Sequence, residues 1–285
     1  MISQQKIVAF QKYILEWYHE NQRDLPWRKT RNPYCILISE VMSQQTQLSR
    51  VIPKYKIWLT KFPTVQILAE AKVSEVLEYW NGLGYNRRAL NLQKCAQNIV
   101  KKYGGIFPQT ESELLVLPGI GQYTARALLC FAFDQQIAVV DTNVRKVILT
   151  KFLNVDRSGF GLSDSQNMSK KGIDDKVLQE IATQLLPKKK AYEWNQALMD
   201  YASTVLKKEK ISIPKQSKFH GSHRYYRGQV LKVLLEKKKV SLDNIGLFIK
   251  KDYSFEDSEW LYKLLKELEK EGFLFIKRNQ IELSS

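Results

Sequence analysis

Apolar residues recur three and four positions apart through most of the chain before residue 150, which is the spacing of one face of an α-helix. The first segment shows this spacing at Ile7, Phe10, Ile14 and Trp17. Turn-forming pairs such as Gly104-Gly105 separate the periodic segments. The pattern predicts a mostly helical protein, with a loop at 156–171 that is rich in serine, glycine and lysine and a further helix near 174–186.

The end of the chain has a pattern of its own. Helical spacing predicts three helices, at 226–238, 242–250 and 256–271. The apolar runs 273–276 and 281–283 flank a polar turn, which is typical of a β-hairpin. Three helices followed by a hairpin predict a winged helix. The lysine-rich stretch 207–223 before it has few apolar residues and predicts a basic linker.

Composition narrows the function classes. The 285 residues include 45 Lys and Arg against 29 Asp and Glu, a net charge of +16, while 44% of residues are hydrophobic. This apolar content is enough for a folded core and excludes a mainly disordered basic chain. The positive charge favours a polyanionic partner such as nucleic acid. There is neither an apolar stretch of about 20 residues nor a signal-peptide core, so we expect a cytoplasmic protein that does not enter membranes.

The three cysteines, Cys35, Cys95 and Cys130, lie far apart in apolar surroundings. Their spacing matches neither a metal site nor a disulfide framework. We therefore expect three buried thiols and no metal ligands among them.

A glycine-rich turn lies between two apolar-periodic segments, in Leu117-Pro118-Gly119-Ile120-Gly121. Two glycines just before a helix let the backbone turn tightly and point free N–H groups at a phosphate. This is the physical basis of a helix-hairpin-helix grip on DNA. Taken alone, the turn is more typical of an ordinary corner between helices, and it is the surrounding sequence that favours the DNA grip.

Two carboxylates stand out. Asp141 follows the apolar run 137–140 and precedes a helical segment, so it is a helix N-cap, a site residue or both. A carboxylate at a helix N-terminus ionises easily. Glu40 lies in a mostly apolar helix, where partial burial raises a carboxyl pKa and suits a general acid. Such a pair can protonate a leaving base and stabilise a cationic sugar, although sequence does not show that the two meet.

Several further motifs occur in a fixed order along residues 1–203. They are Leu25-Pro26-Trp27, Ser39-Glu40-Val41-Met42, Gln44-Gln45-Thr46-Gln47, Trp80-Asn81-Gly82-Leu83-Gly84-Tyr85, Asp141 with Asn143-Val144, and Trp194-Asn195-Gln196. Together with the glycine turn, they resemble the helix-hairpin-helix DNA glycosylase superfamily, and within it the MutY adenine glycosylases. The resemblance implies an all-α fold of two lobes with the active site in the cleft between them.

This interpretation divides the chain into a glycosylase domain, a linker and a tail. The boundaries are 1–206 for the glycosylase domain (28–145 for its helical-barrel lobe, 1–27 with 146–206 for the other lobe), 207–223 for the basic linker and 224–285 for an α+β winged-helix domain.

The resemblance also assigns roles to residues. Glu40 would protonate adenine at N7, Asp141 would lie beside the developing sugar cation, and Tyr123 and Asn143 would support both. The base pocket would contain Trp27, Arg28, Leu48 and Gln196. The DNA contacts would be Gln44, Gln45, Thr46, Gln47, Leu83, Tyr85, Gly119 and Gly121, with Arg224 and Arg227 from the tail. Gln45 and Tyr85 would contact or wedge the duplex around the opposite base. Because bifunctional relatives have a lysine where this chain has Tyr123, we expect a monofunctional enzyme.

Three departures from MutY proteins matter. Members of that family usually bind a four-iron cluster through four cysteines, but this chain has no cysteine after Cys130, so we expect no iron–sulfur cluster and no other cofactor. Basic side chains in 203–215 either take over phosphate contacts or form a solvated linker.

The tail is too short and too helical for a Nudix-like domain. Thr142 replaces a common glycine, as in endonuclease III and mismatch thymine glycosylases.

The sequence thus favours a nucleoid-associated, monomeric enzyme that flips and excises adenine from A:8-oxoguanine or A:G mispairs in duplex DNA. Two alternatives stay open. One is a mismatch thymine or uracil glycosylase on the same fold. The other is a non-catalytic protein that binds lesions, although retention of both Glu40 and Asp141 argues against it.

Overall fold

The computed structural model describes residues 2–153, 173–208 and 218–284. The predicted loop at 156–171 and residues 209–217 of the predicted linker lie outside these ranges. The described helices are α1 (Gln4–Asn21), α2 (Pro33–Ser43), α3 (Leu48–Lys61), α4 (Val65–Glu70), α5 (Val73–Trp80), α6 (Arg87–Tyr103), α7 (Glu111–Leu115), α8 (Gln122–Phe131), α9 (Thr142–Lys151), α10 (Asp175–Gln184), α11 (Ala191–Thr204), α12 (His223–Lys237), α13 (Leu242–Ile249) and α14 (Ser258–Glu271). The mostly helical fold is therefore confirmed.

The chain divides into two compact units. The described residues of 1–40 and 107–214 form the first unit, and those of 41–106 and 215–285 form the second. The tail thus shares a unit with the segment 41–106, a grouping that the sequence does not indicate.

The first unit is built on the packing of α1 against α11. Ser3 caps α1 by accepting a hydrogen bond from the Lys6 N–H. Aromatic rings fill the contact between the helices, with Trp17 and Tyr201 edge-on at 5.3 Å between ring centroids. Trp194 and Tyr201 are almost fully buried. Helix α11 is buried on this side and on the opposite side, which carries Gln196 and Asp200.

The second unit begins with α3 to α6, in which α4 packs along α6. Trp58 of α3 and Trp80 of α5 are fully buried and meet edge-on at 5.6 Å. Helix α6 ends at Gly104, which has a left-handed φ of 61° that glycine adopts without steric cost. The packing leaves the loops before α3 and before α6 within the same unit.

The tail has the winged-helix-like order predicted from sequence: helices α12 to α14 with a small antiparallel sheet. Strands β2 (Leu274–Lys277) and β3 (Gln280–Leu283) form the predicted hairpin. The sequence missed strand β1 (Lys239–Ser241), which pairs with the other edge of β3 and gives the order β1-β3-β2. Helix α12 begins at His223 rather than at residue 226, because Ser222 caps it.

Ion pairs and hydrogen bonds join the tail to α6 inside the second unit. Arg227 of α12 pairs with Glu271 at 2.7 Å, and Lys94 of α6 donates to the Glu271 carbonyl at 3.2 Å. Arg87 also approaches the Glu271 carboxylate at 3.6 Å. The end of α14 is therefore tied to both α12 and α6.

The cysteine prediction is confirmed for two of the three thiols. Cys95 and Cys130 are buried, and burial raises the pKa of each to about 12, whereas Cys35 is only partly covered. Within the described ranges, no group of three histidine, cysteine or acidic side chains is placed to hold a metal ion. None of the helices in those ranges is long and apolar enough to cross a bilayer.

Candidate active site

Glu40 lies near the end of α2, just after the buried residues Ile36, Leu37 and Ile38. An acid here is held against an apolar helix face, and desolvation by the surrounding protein disfavours its charged form. Burial raises the pKa of Glu40 to about 7. The carboxyl can therefore carry a transferable proton at neutral pH.

Tyr123 reaches this carboxyl from the first turn of α8. Its hydroxyl donates a hydrogen bond of 2.6 Å to Oε2 of Glu40. The turn before α8 positions the ring: Gly119 has a φ of 79° and Gly121 is the N-cap residue. Burial, together with the nearby carboxylates, raises the pKa of Tyr123 well above its usual value, so the phenol stays neutral and acts as a donor.

Asp141 is the N-cap of α9, as one of the two sequence interpretations proposed. Its Oδ1 accepts the Val144 N–H at 2.7 Å, and its Oδ2 accepts the Asn143 side-chain amide at 2.7 Å. Burial raises the pKa of Asp141, while these donors oppose the rise. The charge of Asp141 in turn raises the pKa of Glu40, so the two carboxyls interact electrostatically.

A third acid of this unit, Asp200, is fully buried and was not among the residues predicted from sequence. It lies on α11 with no exposed surface and binds two arginines. Arg28 donates from Nη1 and Nη2 at 2.7 Å each, and Arg23 donates from Nε at 2.6 Å and from its backbone N–H at 3.0 Å. Although burial opposes it, these donors lower the pKa of Asp200.

Arg28 links this ion cluster to Glu40. It lies in the 3-10 turn Pro26–Lys29, and its positive charge lowers the pKa of Glu40, partly offsetting burial. Asp200 holds the Arg28 guanidinium in a bidentate pair, which fixes the orientation of that charge. An acid on a buried helix face, four residues after Gln196, is the sequence signal that could have revealed the cluster.

The other predicted base-pocket residues divide between the units. Trp27 and Gln196 lie in the first unit, where both are buried. The Gln196 side chain is 6% exposed, and its amide has no hydrogen-bond partner in the part of the chain that the structure describes. Leu48 begins α3 in the second unit.

The predicted duplex contacts in the second unit lie in two loops. Gln44, Gln45, Thr46 and Gln47 connect α2 to α3, and Gln45 has a left-handed φ of 52°. Leu83 and Tyr85 lie between α5 and α6. Tyr85 is 45% exposed, with a φ of 48°, whereas Leu83 is only 5% exposed. Of this pair, only Tyr85 presents its side chain to solvent.

The remaining predicted DNA contacts lie in the hairpin and in the tail, and their surroundings differ. Gly119 and Gly121 of the hairpin are exposed, which leaves their backbone open to a ligand. Arg227 is engaged by Glu271 at 2.7 Å and Glu267 at 3.4 Å and stacks over Phe273. Arg224 lies over the ring of Phe219 at 5.8 Å. The neighbouring His223 contacts Glu267 at 2.7 Å.

Comparison with known proteins places this site in a family. Residues 38–158 match the model of the HhH-GPD superfamily of base excision DNA repair proteins. The chain is 41% identical over 193 residues to an adenine DNA glycosylase of Mycolicibacterium smegmatis, covering 67% of this chain and 61% of that protein. It is 38% identical over 209 residues to the adenine DNA glycosylase of Rattus norvegicus, covering 70% of this chain and 38% of that protein. The chain thus spans less than two thirds of these relatives.

Solved structures agree on the fold. A thermostable thymine-DNA glycosylase superposes with a TM-score of 0.62 at 29% identity, covering 78% of this chain and 94% of that one. An endonuclease III bound to DNA superposes with a TM-score of 0.57 at 23% identity, covering 70% of this chain and 86% of that one. The helical fold, the hairpin and the matched segment lead to one conclusion: residues 38–158 carry the HhH-GPD domain of the base excision DNA repair proteins.

Proposed function

We propose that the protein is a monofunctional DNA glycosylase that excises adenine mispaired with 8-oxoguanine or guanine from duplex DNA. The observation that carries the proposal is the hydrogen bond from Tyr123 to the carboxyl of the partly buried Glu40, whose pKa is raised to about 7. The names of the relatives, adenine DNA glycosylases in a bacterium and a mammal, support adenine as the base.

The chemistry follows from the two carboxyls. Protonated Glu40 donates its proton to N7 of a flipped adenine, and the glycosidic bond then breaks with both electrons leaving on the base. The sugar becomes an oxocarbenium-like cation, which the Asp141 carboxylate stabilises. Water adds to the anomeric carbon and gives a proton to the Glu40 carboxylate, which leaves an abasic site and restores the acid. The Val144 N–H and the Asn143 amide hold Asp141 in place throughout.

Strand cleavage is not part of the proposed reaction. A glycosylase that also cuts the strand uses an amine to form a Schiff base with the sugar. At the hairpin position this chain has the phenol of Tyr123, which donates to Glu40 instead. The proposed product is therefore an intact strand with one abasic site.

Gln196 supports adenine as the target base. The residue is 6% exposed, and its amide offers a donor and an acceptor that no other described residue satisfies. An amide side chain pairs well with the donor and acceptor on the edge of adenine. In Gln196→Leu, adenine release should slow while binding to undamaged duplex stays unchanged; unaltered adenine kinetics would contradict this pocket.

The net charge of +16 supports duplex DNA as the partner, because phosphate contacts require basic surface. The exposed Gly119 and Gly121 are suited to a phosphate contact at the start of α8. We propose that the protein acts as a monomer, which sedimentation with and without DNA would test. The proposed site of action is the nucleoid.

We also propose that the enzyme works without an iron–sulfur cluster. A four-iron cluster is held by four cysteine thiolates, whereas the sequence has three cysteines. Two of these, Cys95 and Cys130, are buried far from one another in sequence and have pKa values of about 12. The residues present therefore do not fit the cluster. Purified protein should contain no stoichiometric iron and show no visible absorption band.

The decisive experiment is single-turnover base release on duplexes containing A:8-oxoguanine, A:G, A:C, T:G and U:G. Alkali added afterwards converts abasic sites into strand breaks. The proposal expects adenine release, fastest opposite 8-oxoguanine, with breaks only after alkali. Breaks without alkali would contradict the monofunctional assignment.

One specific observation favours a second candidate, a mismatch thymine glycosylase. The thymine-DNA glycosylase structure resembles this chain over most of its length, and Thr142 is the residue type expected in that branch. The T:G and U:G duplexes test it directly. Release of pyrimidine without adenine would move the function to this branch, while tight binding without any release would favour a lesion-binding protein.

A further inference from the structure

Arg88, in the first turn of α6, has no role in the reaction described above, yet it lies among the predicted DNA contacts of the second unit. The loop between α2 and α3 carries Gln44–Gln47, and the loop between α5 and α6 carries Leu83–Tyr85. These loops are about 40 residues apart in sequence, and the side chain of Arg88 contacts both of them.

One nitrogen of the guanidinium binds the first loop. Nη1 of Arg88 donates to the carbonyls of Val41 at 2.7 Å, Met42 at 3.2 Å and Gln44 at 2.6 Å. These carbonyls lie at the end of α2, where a helix has no partners of its own for its last C=O groups. Arg88 therefore caps α2 and fixes the start of the loop that follows.

The other nitrogen joins the two loops. Nη2 of Arg88 donates to Oγ1 of Thr46 at 3.1 Å in the first loop. It also donates to the carbonyls of Leu83 at 3.1 Å and Gly84 at 3.2 Å in the second. The guanidinium lies 5.6 Å from the ring centroid of Tyr85. A single planar group thus sets the distance between the loops.

The arrangement is costly for the fold, which argues that it is more than a helix cap. No carboxylate in the described ranges pairs with Arg88, and its Nε is buried without a hydrogen-bond partner. Burial lowers the pKa of Arg88 to about 10, so the group still carries its charge at neutral pH. A half-buried cation whose hydrogen bonds all go to neutral oxygens is favoured where the planar fork of its guanidinium is needed to reach several acceptors.

We propose that Arg88 is a positioning residue that locks the Gln44–Gln47 loop to the Leu83–Tyr85 loop, so that both contact the base opposite the target together. The inference rests on the proposed function, because that function assigns the opposite base to Gln45 and Tyr85. Arg88 then controls discrimination between opposite bases and not the cleavage chemistry.

The test compares binding to two duplexes that carry a non-cleavable 2′-fluoro-adenosine analogue opposite either 8-oxoguanine or cytosine. Discrimination is the dissociation constant for the cytosine duplex divided by that for the 8-oxoguanine duplex. In Arg88→Gln and Arg88→Lys this ratio should fall about tenfold or more, because neither side chain has the planar pair of nitrogens that binds both loops. The matched control is Arg87→Gln, which removes an arginine whose side chain is 71% exposed and which should keep the wild-type ratio. A wild-type ratio in both Arg88 variants would overturn the inference.

A second measurement does not depend on DNA. Hydrogen exchange of peptides covering 41–47 and 81–86 should rise in both loops of Arg88→Gln and in neither loop of Arg87→Gln; a rise in one loop alone would contradict the link. If the Arg88 variants do not fold, Thr46→Val serves instead, because it removes only the Nη2 bond to the first loop. It should lower the ratio of the two dissociation constants by a smaller factor. An unchanged ratio would count against the inference. Failure of the wild type to release adenine would instead overturn the proposed function.

Discussion

The first unit contains two buried acid sites whose pKa values move in opposite directions. Asp200 has no exposed surface, yet two arginines hold it ionised with a lowered pKa. Glu40 faces a phenol and a second carboxylate, and its pKa rises to about 7. Burial acts on both sites in the same direction, so the charge of the partner decides which acid can hold a proton at neutral pH.

Arg28 acts on both acids, but in different ways, and this difference explains why only Asp200 has a lowered pKa. Its hydrogen bonds go to Asp200, while only its longer-range field reaches Glu40. If the guanidinium were paired with Glu40 directly, that carboxyl would be ionised and unable to donate a proton. The ion cluster at Asp200 therefore supports the proposed role of Glu40 as an acid, because it keeps the Arg28 guanidinium hydrogen-bonded to another carboxylate.

The largest effect is expected from removing either member of the proposed catalytic pair, Glu40 and Asp141. Glu40→Gln and Asp141→Asn should each lower single-turnover adenine release by on the order of 10³-fold, because one removes the proton donor and the other the charge beside the sugar. Asparagine still caps a helix, so Asp141→Asn should fold normally. Duplex affinity measured in parallel should stay near the wild-type value; full activity in either variant would remove the mechanism.

The contrasting substitution at the paired site should damage stability. Asp200→Asn leaves Arg23 and Arg28 without a carboxylate, and we expect the free energy of unfolding to fall by about 3 kcal/mol or more. Chemical denaturation measures this loss. The control is Asp134→Asn, which breaks only an exposed 3.9 Å pair with Arg31 and should cost less than about 1 kcal/mol. Equal losses would show that the Asp200 cluster has no special role in the fold.

Glu40→Gln should have the opposite effect on stability. The folded-state pKa of about 7 lies above the ordinary 4.5, so the wild-type protein loses stability as pH rises from about 4.5 to 7 and is level above that. At pH 8 the variant should be more stable by about 3 kcal/mol, and the gain should vanish near pH 4.5. Glu20→Gln, on an exposed face of α1, is the control. A gain that does not depend on pH would argue against a buried ionisable Glu40.

The smallest effect concerns the pH dependence of base release. The rate should fall about tenfold per unit above pH 7 as Glu40 loses its proton. The Tyr123 hydrogen bond lowers the pKa of Glu40, so Tyr123→Phe should move this alkaline limb to higher pH. Single-turnover rates across pH 5 to 9 test the shift. If the alkaline limb of the pH–rate profile does not move, the Tyr123 phenol packs against the hairpin without changing the pKa of Glu40.

The sequence predicted the parts of this molecule that depend on local pattern. Helical spacing located most helices, and the polar turn between two apolar runs located the β2–β3 hairpin. The sequence did not predict strand β1, because three residues are too few to show the alternation of apolar and polar positions typical of a strand. The predicted start of α14 was residue 256, whereas the helix begins at Ser258. The preceding residues, Phe255–Asp257, form a 3-10 turn instead, in which the Asp257 carboxylate accepts the Ser254 N–H.

The site was only partly accessible from sequence, because its key contacts join distant residues. Tyr123 and Glu40 are 83 positions apart, and it was the resemblance that connected them. Asp200 and Arg28 are 172 positions apart, and neither residue has a local pattern that indicates its partner. Arg88 was missed for a related reason: an arginine at the start of a helix is usually solvated, and only the packed loops show its guanidinium engaged by both of them.

Asp141 caps a helix in addition to its proposed role in catalysis, and this has an evolutionary consequence. Its side chain caps α9 whether or not DNA is ever repaired, so selection for folding alone would keep a capping residue at this position. Glu40 has no such second duty, and its buried charge is a burden on the fold. In a descendant that stopped excising bases, Glu40 would drift first and Asp141 last. Retention of the glutamate, more than of the aspartate, is the mark of a lineage still under selection for catalysis.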